Sequence, residues 1–140
     1  MISFMRHAMR GNESRDVGLV SEGIAQASKL EGEYDTVIIS PLRRCRETLD
    51  HSKIKYKTLV ITPLCRELRN GNIIDYMENE EIVTETMPSF SERLLQFKEL
   101  LKFYKDKKIL VISHCVFIAY FTGMNRILNN CEIVSGNIAQ

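Results

Sequence analysis

The sequence predicts an α/β fold, a three-layer α/β/α sandwich around a mainly parallel central sheet, and three observations carry that prediction. Short runs rich in valine and isoleucine recur at Ile2–Met5, Val37–Ile39, Leu59–Ile61, Ile109–Ile112 and Ile133–Val134, as strands of a buried sheet do. Between them lie segments whose apolar residues are spaced by three and four, the helical period. The two kinds of element alternate, which is the arrangement a layered α/β domain requires. The chain has 140 residues, 44% of them apolar and 26% charged. Residues 1–140 therefore read as one domain, with no repeat, linker or low-complexity tract.

The first apolar run closes on a histidine in Ile2-Ser3-Phe4-Met5-Arg6-His7. Ser21 then reads as the N-cap of a helix carrying Ile24, Ala27 and Leu30. After Val37–Ile39 come Ser40 and Pro41, a serine N-cap and a proline at the first helical position, which open a helix over Leu42 to Leu49. The run Leu59–Ile61 leads into Pro63-Leu64-Cys65-Arg66-Glu67-Leu68-Arg69-Asn70-Gly71, which ends in a turn pair. The clearest helix spans Phe90 to Tyr104, with Phe90, Leu94, Phe97 and Leu101 as its core stripe. Pro88 suits its start, and Lys105, Lys107 and Lys108 suit its end. The fourth run closes on a second histidine, in Ser113-His114.

Both imidazoles thus fall at the carboxyl ends of strands, where ligands bind in open α/β sheets. Arg6 and Arg10 flank the first, and Arg43, Arg44 and Arg46 lie in the first turns of the helix that follows a strand, a place suited to an anion. Lys and Arg total 19 against 18 Asp and Glu, a formal charge of +1, which gives no footprint for nucleic acid or an anionic membrane. The basic residues are therefore local patches, and the combination suits phosphate. Arginine donates two hydrogen bonds at once to a phosphate. A neutral imidazole can attack phosphorus, and a carboxylic acid is needed to protonate the leaving oxygen. Glu67, Glu13 and Glu22 are all available for that last role.

These residues resemble the histidine phosphatase superfamily, also called phosphoglycerate-mutase-like. Phe4-Met5-Arg6-His7-Ala8 is similar to the family's opening Arg-His-Gly/Ala. Leu19 to Ala27 is similar to its first helix motif, and Ser40-Pro41-Leu42-Arg43-Arg44-Cys45-Arg46-Glu47-Thr48 to its Ser-Pro-Leu motif. Glu67 and Gly71 match its Leu-x-Glu and following glycine, Ser113-His114-Cys115 its late Ser-His-Gly, and Asn130-Cys131-Glu132-Ile133 its closing pattern. Each motif alone is weak, and the ordered set is specific.

The resemblance implies His7 as the nucleophile, His114 as the second histidine and Glu67 as the acid and base. Arg6 and Arg44 become phosphate ligands, with Arg10 as a third. No metal and no other cofactor is implied, and arginines beside the histidines disfavour a zinc ion. Two departures stand out. Cys115 replaces the family glycine, so its Cβ crowds the backbone or demands another conformation. Glu13 stands where an asparagine is expected, with Asn12 one place early.

On helical geometry Arg43 and Arg44 point about 100° apart, so at most one of them faces the site well; the resemblance implies Arg44, and Arg43 and Arg46 are read as solvated. The segment between the Glu67 motif and the long helix, Asn72 to Met87, is short, which predicts an open pocket. The implied activity is metal-independent hydrolysis of phosphomonoesters or phosphoprotein side chains through a phosphohistidine. A phosphoglycerate-mutase-type phosphotransferase and a weakly active phosphate-binding or interaction module are the alternatives. The expected partner is a phosphorylated small molecule or phosphoprotein substrate, with no nucleic acid and no membrane, and no oligomeric state is assigned. The four cysteines, Cys45, Cys65, Cys115 and Cys131, show no CxxC spacing and no pre-sequence is evident, which predicts reduced thiols and a cytoplasmic protein.

Overall fold

A computed structural model describes residues 1–136. The last residues of the predicted domain, 137–140, lie outside the described residues. Five strands form one sheet in the order β3-β2-β4-β1-β5: β1 (Ile2–Arg6), β2 (Glu31–Ile39), β3 (Lys53–Ile61), β4 (Ile109–Ser113) and β5 (Ile133–Gly136). β1 through β4 are mutually parallel where they pair, and β5 runs antiparallel on the outside of β1. Four α-helices connect them: α1 (Ser21–Ser28), α2 (Arg43–His51), α3 (Met87–Phe103) and α4 (Cys115–Thr122).

The period of two along each strand divides the core into two layers. Ile2, Phe4, Ile38, Ile109 and Val111 face one side, where Phe90, Phe97 and Leu101 of α3 and Phe117 of α4 pack on them. Met5, Val37, Ile39, Leu110 and Ile112 face the other, against Cys45 and Leu49 of α2. The three-layer α/β/α architecture follows from that split.

Four predicted boundaries move. β2 and β3 extend to Glu31 and Lys53, well before their apolar runs. The added part of β3 carries Lys53, Lys55 and Lys57 along the sheet's edge, where lysine opposes pairing with another chain. α2 begins at Arg43, with Leu42 as the N-cap. Ser40 accepts a hydrogen bond from the Leu42 amide at 3.3 Å and lies 2.9 Å from His114 Nε2, but it stands too far before the first helical residue to be the N-cap. Likewise Val20 takes the N-cap position of α1, and Ser21 is the first helical residue with no capping bond. Among the described residues, no helix is long and apolar enough to cross a membrane.

Candidate active site

The site begins with one strand pairing. β1 and β4 are neighbours in register, Arg6 opposite Ser113, so the residues that follow, His7 and His114, leave the sheet side by side. Their ring centroids are 5.3 Å apart in an edge-to-face arrangement, and the His7 amide donates to the Ser113 carbonyl at 3.2 Å. β2 and β3 end on the same edge and deliver Ser40, α2 and the Glu67 segment. Arg6, His7, Arg10, Arg44 and Glu67 line one cleft of about 190 Å³. Its other walls include Asn70, Asn72, Asp75 and Cys115.

His7 is buried, and its Nδ1 lies 2.7 Å from the Ala8 carbonyl. A carbonyl only accepts, so Nδ1 carries the proton and Nε2 keeps its lone pair. Arg44 Nε donates to that Nε2 at 3.3 Å. Burial, and after it the Arg44 charge, holds the His7 pKa down to about 3. The ring is a neutral imidazole with its nucleophilic nitrogen next to a guanidinium. Three further contacts fix the backbone around it. Thr48 accepts from the Ala8 amide at 2.9 Å and donates to the Arg44 carbonyl at 2.6 Å. Asn130 donates to the His7 carbonyl at 3.1 Å.

His114 is fully buried beneath the cleft wall and is not among the lining residues. Its Nε2 is 2.9 Å from Ser40 Oγ, and its Nδ1 is buried with no hydrogen-bond partner. Burial first, then the Arg44 charge, pushes its pKa well below the ordinary value. A charged second imidazole therefore requires a negative group to arrive beside it.

Glu67 does not pair with Arg66 or Arg69, which bind Glu80 instead. Its carboxylate caps α4, accepting from the Val116 and Phe117 amides at 3.0 and 2.8 Å and from its neighbour Leu68 at 3.0 Å. Such donors favour the anion. Burial outweighs them, with the Asp75 charge adding to it, and the Glu67 pKa is raised. Arg93 of α3 holds this segment by donating to the Leu64, Arg66 and Glu67 carbonyls at 2.9, 2.7 and 3.4 Å.

Arg6 donates to the Leu128 carbonyl at 2.8 Å and leaves a buried Nε without a partner. Arg10 also lines the cleft and donates to the Gly11 carbonyl at 2.9 Å. Arg43 and Arg46 face solvent, as expected; Arg43 pairs with Glu47 at 2.8 Å. Glu13 and Glu22 are exposed and outside the cleft, as is Asn12.

Cys115 takes up a right-handed helical conformation as the first residue of α4. The place filled by glycine in the family motif needs no glycine conformation here, and the thiol lies at the cleft wall 3.7 Å from Glu67. The larger surprise is Asp75, which sequence reasoning did not single out. The segment after Gly71 supplies part of the wall of the cleft. It folds a short 3-10 turn, Ile73–Asp75, across the cleft, and Arg44 donates to the Ile74 carbonyl at 2.9 Å and to Asp75 Oδ1 at 2.6 Å. Among the described residues, no group of three or more His, Cys, Asp or Glu side chains is placed to hold a metal ion.

The profile of the histidine phosphatase superfamily (branch 1) matches residues 2–126. No curated protein matches the sequence significantly. Among solved structures, the product of an open reading frame of Mycobacterium tuberculosis superposes with a TM-score of 0.70 at 18% identity, covering 94% of this chain and 88% of the other. The alpha-ribazole phosphatase of Shigella flexneri gives 0.67 at 19% identity over 92% and 86%. The phosphoserine phosphatase of Entamoeba histolytica, solved with 3-phosphoglyceric acid, gives 0.63 at 18% identity over 94% and 87%.

Proposed function

The chain belongs to the histidine phosphatase superfamily, and from that premise we propose that it hydrolyses phosphomonoesters, small or on protein side chains, through a phosphohistidine at His7. The observation that carries this reading is the state of His7. Its ring is neutral, its Nδ1 proton is fixed on the Ala8 carbonyl, and its Nε2 carries a lone pair that Arg44 Nε must release to an arriving phosphate, in a cleft lined by Arg6, Arg10 and Arg44.

In the first step Nε2 attacks phosphorus and the bond to the ester oxygen breaks. Glu67, whose pKa burial raises, gives that oxygen its proton from its acid form. In the second step Glu67, now ionised, takes a proton from water, which attacks phosphorus and releases phosphate and His7. Arg6, Arg10 and Arg44 neutralise the equatorial oxygens, the main demand of phosphoryl transfer. The phosphoryl group also supplies the negative charge that His114 needs to become an imidazolium behind it. These cations make turnover independent of added metal. Relatives named for phosphoserine and alpha-ribazole phosphate support the monoester class. We place this activity in one domain over residues 1–140 and in the reducing cytoplasm, where unpaired Cys45, Cys65, Cys115 and Cys131 are at home.

The test is release of phosphate from an aryl phosphate with chelator present, for the wild type and for His7→Ala. Turnover in the first and none above background in the second supports the reading. Equal rates in both would leave a phosphate-binding module.

A further inference from the structure

The three parts of the Arg44 guanidinium are engaged by the protein's own groups. Nε donates to His7, one terminal nitrogen to the Ile74 carbonyl at 2.9 Å, and the other to Asp75 Oδ1 at 2.6 Å. The Arg44 and Asp75 side chains are only 2% and 9% exposed, so the pair is little screened by solvent. Asp75 also lines the same cleft as Arg6, His7 and Arg10. Its backbone is held from behind, where Arg66 donates to the Asp75 carbonyl at 2.9 Å while gripping Glu80 through both terminal nitrogens. The turn is fastened, and the carboxylate is its part that can swing away from Arg44.

We infer that Asp75 is a specificity-determining residue, an internal competitor that holds Arg44 until a dianion displaces it. This rests on reading the cleft as a phosphate site. A carboxylate and a phosphate ask the same fork for the same hydrogen bonds. A free monoanion offers Arg44 no more charge than Asp75 does and must also give up its translational freedom, so it loses the exchange. A phosphomonoester carries close to two charges at neutral pH and wins it. Apparent affinity is the intrinsic affinity scaled by the fraction of molecules whose Arg44 is free, so Asp75 weakens every anion, the monoanions to the point of exclusion. The substrate class is thereby narrowed to dianionic monoesters, with phosphodiesters and carboxylates rejected.

The test measures binding of inorganic phosphate and of methanesulfonate, a monoanion, by calorimetry near neutral pH, for the wild type and for Asp75→Asn. Asparagine keeps the shape and an acceptor for Arg44 but removes the charge. The expected result is tenfold or more tighter phosphate in the variant, a larger gain for methanesulfonate, and a lower phosphomonoester KM. A folded variant with unchanged or weaker phosphate binding overturns the inference. Should the variant not fold, the wild type decides alone: at least a hundredfold preference for phosphate over methanesulfonate supports it, and less than threefold overturns it. Anion binding does not depend on turnover, so an inactive protein whose phosphate binding tightens in Asp75→Asn would sink the hydrolase reading and leave Asp75's role intact.

Discussion

At Glu67 two effects oppose each other, burial raising the pKa and backbone donors lowering it, and burial prevails. The sign for catalysis follows. The acid must be protonated in the step that kcat/KM reports, so activity falls as pH rises through the raised pKa. Glu67→Gln should lower kcat/KM for an alkyl phosphate by roughly 10²- to 10⁴-fold and erase that limb of the pH profile. A limb that persists in the variant assigns it to another group. Arg44→Lys replaces a fork by a point charge and should cost on the order of 3 kcal/mol in transition-state stabilisation, 10²- to 10³-fold in rate. Rates within threefold of wild type would remove Arg44 from the phosphate site. His7 and His114 are legible from their places at strand ends and Arg44 from the helix start that follows a strand, whereas only the family resemblance sets Glu67 apart from Glu13 and Glu22. Asp75, Asn70 and Asn72 are not legible, because their places depend on how the segment after Gly71 folds back, and no local period encodes that return.

Among the elements, α1 and α2 hold the loop that follows His7. Gly23 of α1 packs on Met9 so closely that a Cβ there would lie 2.0 Å from the Met9 carbonyl oxygen, while Gln26 accepts from the Met9 amide at 2.9 Å. The glycine and glutamine of the first helix motif are thus backbone supports for Arg10. Gly23→Ala should force the loop and helix apart, destabilise the fold by about 1–3 kcal/mol and raise KM, checked by urea melts beside steady-state kinetics. An unperturbed KM would separate α1 from the site. On the other side, Arg93 ties α3 to the Glu67 segment and pairs with buried Glu85 at 2.9 Å. Arg93→Met leaves that carboxylate with Arg69 alone, 3.6 Å away, and should cost about 3 kcal/mol or more, read from the same melts. The short apolar runs marked which strands exist, but not the reach of β2 and β3, whose added residues are polar and paired through the backbone.

For the whole molecule, the site's electrostatics set a pH dependence of stability. His7 and His114 are held neutral in the fold, the first at about 3 and the second also well below its ordinary value. In the unfolded chain both take up protons near pH 6.5. Their depressed pKa values therefore contribute stability that is complete above that pH and is lost as pH falls toward 3. Glu67 shifts the other way, so its raised pKa offsets part of that loss as pH falls toward the ordinary carboxyl value. The two imidazoles set the sign, so stability falls as pH is lowered from about 6.5 toward 3. Urea melts at several pH values check this, and a flat stability over that window would contradict it.

The alternation of strands and helices made the three-layer fold legible, since the period of two along each strand sorts the core into its two layers. What decides function, however, is the meeting of distant strand ends, and one measurement reaches it directly. The protein is quenched during turnover of a radiolabelled phosphomonoester and digested, and the label is located. The account predicts alkali-stable, acid-labile phosphate on the peptide bearing His7, absent from His7→Ala. Turnover without such label, or label on another residue, would contradict it.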